Sequence, residues 1–258
     1  APGVFARLRG AIDDDRKRNG RFLLSGSVSP SLTKQVSESL AGRIAIVELS
    51  PLGLMEINPK NEDRLWLTGG YPDGGIIKPS SFGDWQRNYL ELLAQRDLPR
   101  WGLPARPTVT LRLMKMLAAL HGNLWNASKL ASSMGLDAKT ITTYLDFLEG
   151  AYLIRRLPPY FANTKKRLVK SPKTYWRDSG LLHALLNINK RESLQNQPWV
   201  GASWEGFVIE QIERELNARG IAHDLYHFRT SDQYEIDLVV DFGADHDFLK
   251  GRHFFANG

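Results

Sequence analysis

At 258 residues, with 42% hydrophobic and 24% charged side chains, the chain is long enough to bury substantial cores and predicts two or three modules. The absence of cysteine excludes a disulfide framework and a thiolate metal site; with no apolar leader and no eighteen-residue apolar run, a cytoplasmic protein without membrane contact is expected. The net charge of +6 hides an asymmetry, because residues 201–258 hold eleven acidic against five basic side chains, which places any anion-binding surface before residue 200.

The chain opens Ala1-Pro2-Gly3 and passes at once into an amphipathic pattern of Val4, Phe5, Leu8 and Ile12. It closes on Gly251 to Gly258, which reads neither as a helix cap nor as a completed strand, so both ends are expected to be cuts. Residues 3–18 predict a helix stopped by Asn19-Gly20, followed by a short buried strand, Arg21-Phe22-Leu23-Leu24, and a polar Ser25-Gly26-Ser27 loop. A helix from Pro30 to Leu40, closed by Gly42, leads to a second strand, Ile44 to Leu49, ended by Ser50-Pro51. Strands alternating with helices predict an α/β unit whose parallel sheet is covered on both faces.

Residues 56–80 read as a Gly-, Pro- and Asn-rich loop with one helical turn, and Phe82 to Leu98 as a helix facing inward through Trp85, Tyr89, Leu92 and Leu93. After a break from Pro99 to Pro107, three helices are predicted: Leu111 to His121, Ala127 to Met134 capped by Asn126 and ended by Gly135, and Ala138 to Gly150 capped by Asp137. With the Pro158-Pro159 turn and the run from Leu168 to Tyr175 as a β-wing, residues 108–178 predict a winged helix. Beyond it come helices at Gly180 to Leu186 and Trp204 to Arg219, then strands at Leu225 to Arg229 and Glu235 to Asp241.

Several spaced segments carry a family resemblance: Gly20 to Ser27, Ser37 to Arg43, Glu48 to Leu52, Thr68-Gly69-Gly70-Tyr71-Pro72, Arg96-Asp97-Leu98-Pro99, Lys170-Ser171-Pro172-Lys173, Arg177-Asp178-Ser179-Gly180-Leu181 and Gly201 to Phe207. In this order they resemble a prokaryotic AAA+-like P-loop ATPase family with a C-terminal winged helix and a PD-(D/E)xK nuclease-like domain. The resemblance implies four parts: the second half of an ATPase domain over 1–58, a helical lid and linker over 59–107, the winged helix over 108–178, and an incomplete nuclease-like α/β domain over 179–258. It also implies ATP and Mg in the full-length family. No G-x-x-x-x-G-K-[ST] string occurs in the chain, so neither is expected to bind tightly here and ATP hydrolysis is not expected of this chain.

Within that frame Ser25 and Ser27 stand where such ATPases place a polar sensor of the attacking water or γ-phosphate; the alternative is a simple turn. Arg43 stands where an arginine finger would reach a neighbouring subunit's nucleotide, which would imply a homo-oligomer; the alternative is an arginine favoured at a helix C-terminus. In the winged helix the third helix would present Lys139, Thr140, Thr142 and Thr143 to the major groove of DNA. Between Tyr160 and Arg177 lie six bases, Lys165, Lys166, Arg167, Lys170, Lys173 and Arg177, with no acid among them, which suits phosphate contacts. The alternative is a non-catalytic module that binds DNA or a protein partner without an ATP cycle.

Glu205 on its helix and Asp237 on its strand, with Glu235 on the same face, correspond to the carboxylates that hold a divalent metal in PD-(D/E)xK nucleases. The Glu-x-Lys that completes that site is absent, Asp247-Phe248-Leu249-Lys250 lacking the spacing, so Glu205 as a helix cap and Asp237 paired with Arg229 is the expected arrangement. His223 and His227 share a strand face without the third ligand that zinc needs.

Overall fold

A computed structural model describes residues 3–25, 36, 38–104, 106–161, 169–232, 234–243 and 254–256. The amphipathic start forms helix α1, Val4–Asp13, and Gly42, at φ 69°, supplies the left-handed turn after Leu40 that was expected to close the next helix. The two strands expected at 21–24 and 44–49 do not form. Leu23 is 94% and Leu49 97% exposed, and neither stretch has a ladder partner among the described residues. An apolar run becomes a strand only where a neighbouring strand accepts its backbone groups, and no such neighbour lies among the described residues. Most of the helix expected from Pro30 to Leu40, and the sensor candidate Ser27, lie outside the described residues.

Residues 56–80, expected as loop, contain a two-turn helix α2, Glu62–Thr68, whose Leu65 and Trp66 are buried. Helix α3, Asp84–Leu92, is prolonged by a wider π-turn over Leu93–Asp97 and a last turn at Leu98–Arg100. Helices α4 (Pro107–Ala119), α5 (Ala127–Met134) and α6 (Ala138–Gly150) follow in the expected order. Asn126 caps α5 through the Lys129 N–H, Asp137 caps α6 through the Thr140 N–H, and Gly135 turns the chain between them at φ 68°. Strands β1 (Ile154–Leu157) and β2 (Lys173–Trp176) pair antiparallel, and residues 122–125 extend that ladder on the far side of β2. The buried faces of α3 to α6, Trp176 and the following helix form the largest core.

Helices α7 (Ser179–Leu185), α8 (Arg191–Gln195) and α9 (Val200–Ala218) lead to β3 (Asp224–Arg229), β4 (Glu235–Asp241) and β5 (Phe254–Ala256). Helix α8 is a short helix between the two that the sequence predicts. Strand β5 corrects the reading of the tail as strandless: its backbone pairs antiparallel with the edge of β4, a long-range partner that local pattern does not reveal. Both sheets are antiparallel, so the described residues hold mixed α/β structure without the expected parallel sheet. The chain after β1 joins the two sheets, since the His227 N–H donates to the Pro158 carbonyl and the Tyr160 N–H to the His227 carbonyl.

A polar network is buried between α2, α7 and α9. The Trp66 indole donates to Ser203 Oγ (3.1 Å), which contacts His183 Nε2 at 2.7 Å, while His183 Nδ1 meets the Leu67 carbonyl at 2.8 Å. Nearby His121 accepts the Trp176 N–H at Nδ1 (3.0 Å). Burial pushes His183 down to about 4 and His121 to about 3, the second also repelled by His183. Because both depart downward from 6.5, their contribution is whole above pH 6.5 and is lost as pH falls toward the folded values. Between pH 7 and pH 5 the two histidines are expected to cost about 3–4 kcal/mol of unfolding free energy. Urea denaturation at both pH values measures this. His183→Gln should remove roughly half of the pH dependence, and an unchanged dependence refutes the assignment.

Candidate functional site

Strand alternation sends the side chains of Lys173 and Tyr175 to one face of β2 and those of Thr174 and Trp176 to the other. Trp176 enters the helical core, whereas Tyr175 packs with Ile209 and Leu238 against α9 and β4. The same period on β4 places Glu235 and Asp237 together. Glu205, in the second turn of α9 because that helix starts at Val200, projects between the two strands. It is therefore not a cap of its helix, which corrects that expectation.

The Lys173 ammonium is the centre of the group. It lies 2.9 Å from Glu205 Oε1, 2.6 Å from Glu235 Oε1 and 3.0 Å from Asp237 Oδ1. The contact with Glu235 is an ion pair rather than an aligned hydrogen bond, as Oε1 is buried without hydrogen-bond geometry to a donor. Tyr175 donates its hydroxyl to Glu205 Oε1. Arg229 pairs with the other oxygen of Glu235 (3.2 Å) and not with Asp237 as expected. The Lys173 side chain is 4% exposed, but the carboxylates keep 20 to 26% of their surface, so the cluster opens toward solvent on its acidic side. Burial opposes the lysine's charge, yet the three carboxylates outweigh it and hold its pKa above the ordinary value. Burial raises Glu205 against the pull of Lys173, and burial together with Glu205 raises Tyr175.

Lys173 thus differs from the surface cation expected for DNA contact: it is enclosed and fully engaged with acids. Arg177 departs in the same way, its guanidinium held by Glu48 (2.6 Å) and Glu210 (3.1 Å). Lys170 and Lys139 are exposed, and Lys165, Lys166 and Arg167 lie outside the described residues. On α6 the hydroxyls of Thr140, Thr142 and Thr143 are turned to Asp137, the Ala138 carbonyl and the Lys139 carbonyl. Asp146 and Glu149 follow along that helix, both paired with Arg156.

Ser25 is exposed and lies in neither helix nor strand. Arg43 makes a two-pronged bond to Asp13, Nε to Oδ1 at 2.8 Å and Nη2 to Oδ2 at 3.0 Å, and holds that carboxyl below its ordinary value. Arg43 is thus engaged by Asp13, and Ser25 makes no side-chain hydrogen bond among the described residues. Among them no group of three or more His, Asp or Glu is disposed to hold a metal ion, and His223 is engaged by Glu213 at 2.6 Å. No helix among them is long and apolar enough to cross a membrane.

Comparison with known proteins assigns parts of the chain. Residues 60–192 match a model described as a domain of unknown function, DUF8612; residues 200–247 match another, DUF4143; residues 1–58 match an AAA domain. The last two matches are consistent with an AAA-like ATPase family. The uncharacterized proteins Mb2031c of Mycobacterium bovis and Rv2008c of Mycobacterium tuberculosis are each 41% identical over 241 residues, which is 93% of this chain and 54% of the relative. The chain therefore spans about half the length of the curated relatives it matches. No solved structure matches it.

Proposed function

The chain belongs to the DUF8612 family of domains of unknown function, matched over residues 60–192, and from that premise we propose that it is the DNA-engaging part of an AAA-type ATPase. The observation that carries this reading is the succession α4, α5, α6 and the β1–β2 ladder extended by residues 122–125, which is the element order of a winged helix. ATP and Mg are assigned to the full-length family and not to a site built by these residues. Assembly through Arg43 would require breaking its pair with Asp13.

The electrostatics favour backbone contact over sequence reading. The threonine hydroxyls of α6 donate to their own helix and its cap, which leaves them only as acceptors toward base edges. With Lys173 and Arg177 withdrawn into the protein, the bases left to meet phosphate are Lys139, Lys165, Lys166, Arg167 and Lys170. Fluorescence anisotropy with a short duplex should then give a slope of log K against log salt of roughly −4. Lys139→Ala and Lys170→Ala should each reduce that slope by about 0.9 and weaken binding without a change in sequence preference. No binding at low salt would leave the other reading, a module that binds a protein partner.

A further inference from the structure

We propose that Glu205, Glu235 and Asp237 form a cation site whose occupant is the protein's own Lys173 ammonium, so that no divalent metal binds there while β2 is seated. This goes beyond the DNA-engaging role, which neither requires nor excludes it. The Lys173 ammonium donates to Glu205 at 2.9 Å and to Asp237 at 3.0 Å, and the Glu235 carboxylate lies 2.6 Å away as a charge contact.

Geometry also fixes why the cation is internal. Lys173 is placed by an antiparallel ladder, opposite Leu157 on β1 and bridged to Leu124 on its other side, and its neighbour Tyr175 secures Glu205 from the same face. The carboxylates come from two further elements, α9 and β4. The ammonium therefore ties the hairpin to the α9–β4 unit, the role that a structural metal would otherwise fill. Three carboxylates with a solvent-facing side have the donor chemistry that suits Mg2+, Mn2+ or Ca2+, yet with Lys173 seated among them they are not disposed to hold such an ion. What keeps such an ion out is the positive charge already seated among them.

Removing the ammonium should therefore create a metal site. Electron paramagnetic resonance of free Mn2+ titrated with the full chain should show no Mn2+ retained by the wild type. Lys173→Met, which keeps the aliphatic stem, should hold one Mn2+ at least about a hundredfold more tightly. Adding Asp237→Asn to that variant should abolish the gain. A wild type that retains one Mn2+ lost in Asp237→Asn overturns the proposal, because the metal would then sit beside the lysine; so does a folded Lys173→Met that retains none. A readout on the wild type covers the case in which Lys173→Met does not fold. With 15N-labelled lysine, one ammonium resonance should exchange slowly and stay sharp when Mn2+ is added. Bleaching of that resonance by Mn2+, or the absence of any slowly exchanging ammonium, overturns the proposal.

Discussion

Gly180→Ala is expected to lower the unfolding free energy by about 3 kcal/mol or more. A Cβ at 180 would lie 1.9 Å from the Thr68 carbonyl oxygen and 2.8 Å from the Gly69 nitrogen, and both are backbone atoms with no rotamer to move. The close approach is built from two sides. Asp178 accepts the N–H of Leu181 at the start of α7 and the N–H of Gly70 after α2, at 3.0 and 2.8 Å, which draws the two helix ends together. Gly70 in turn faces the Leu52 carbonyl, 2.2 Å from where its own Cβ would stand. Gly201→Ala is the control, since a Cβ there meets nothing within 4 Å, and in the first turn of α9 it should be neutral or stabilising by up to about 1 kcal/mol. Urea midpoints of the two variants separate the cases, and a wild-type midpoint for Gly180→Ala would refute the interlock.

The same contact shows what the sequence made legible and what it did not. Thr68-Gly69-Gly70 and Asp178-Ser179-Gly180 stand out as motifs, yet nothing in the string says that they touch, or that their glycines serve packing rather than a phosphate. Helices α4 to α6 were readable because their signals are local: Asn126 and Asp137 as caps, Gly135 as the left-handed turn, apolar residues at helical spacing between them. The stretches 21–24 and 44–49 carry an equally good apolar signal and form no strand, because pairing is a property of two segments. At the candidate site the shared face of Glu235 and Asp237 followed from the strand period, but Glu205 and Asp237 came from the resemblance, their expected roles as a helix cap and an Arg229 partner did not form, and the cation among them was assigned to the wrong surface. Lys173 sits in an acid-free basic run, and charge patterning placed it with its neighbours in solvent. The contrary signal was the alternation of Lys173 with Tyr175, which puts the lysine on the side of a strand that also carries a large aromatic ring, and hence toward an interior.

Glu210→Ala is expected to cost about 3–5 kcal/mol, because it takes away the carboxylate that two guanidinium groups share in a nearly dry place and leaves each with only its outer partner. The Glu210 side chain is 2% exposed; it takes bonds from Arg155 on β1 and from Arg177 just after β2, and Arg155 also reaches Glu213 at 3.1 Å. Burial alone would raise the pKa of Glu210, but the two arginines outweigh it and hold it below the usual carboxylate value. The loss should not be read as the worth of an ion pair. Desolvating three charges opposes most of their attraction, and the penalty of the variant comes from the arginines left facing one another. Two comparisons distinguish these accounts. Glu48→Gln, which removes only the outer and 27% exposed partner of Arg177, should cost no more than about 1 kcal/mol. Arg155→Met combined with Glu210→Leu should regain most of what Glu210→Ala loses, since Arg177 keeps Glu48 and Glu213, which loses Arg155, keeps His223. Chemical denaturation of the three variants measures this, and a double variant no better than Glu210→Ala would show that the attraction itself, and not the orphaned charge, holds the hairpin on α9.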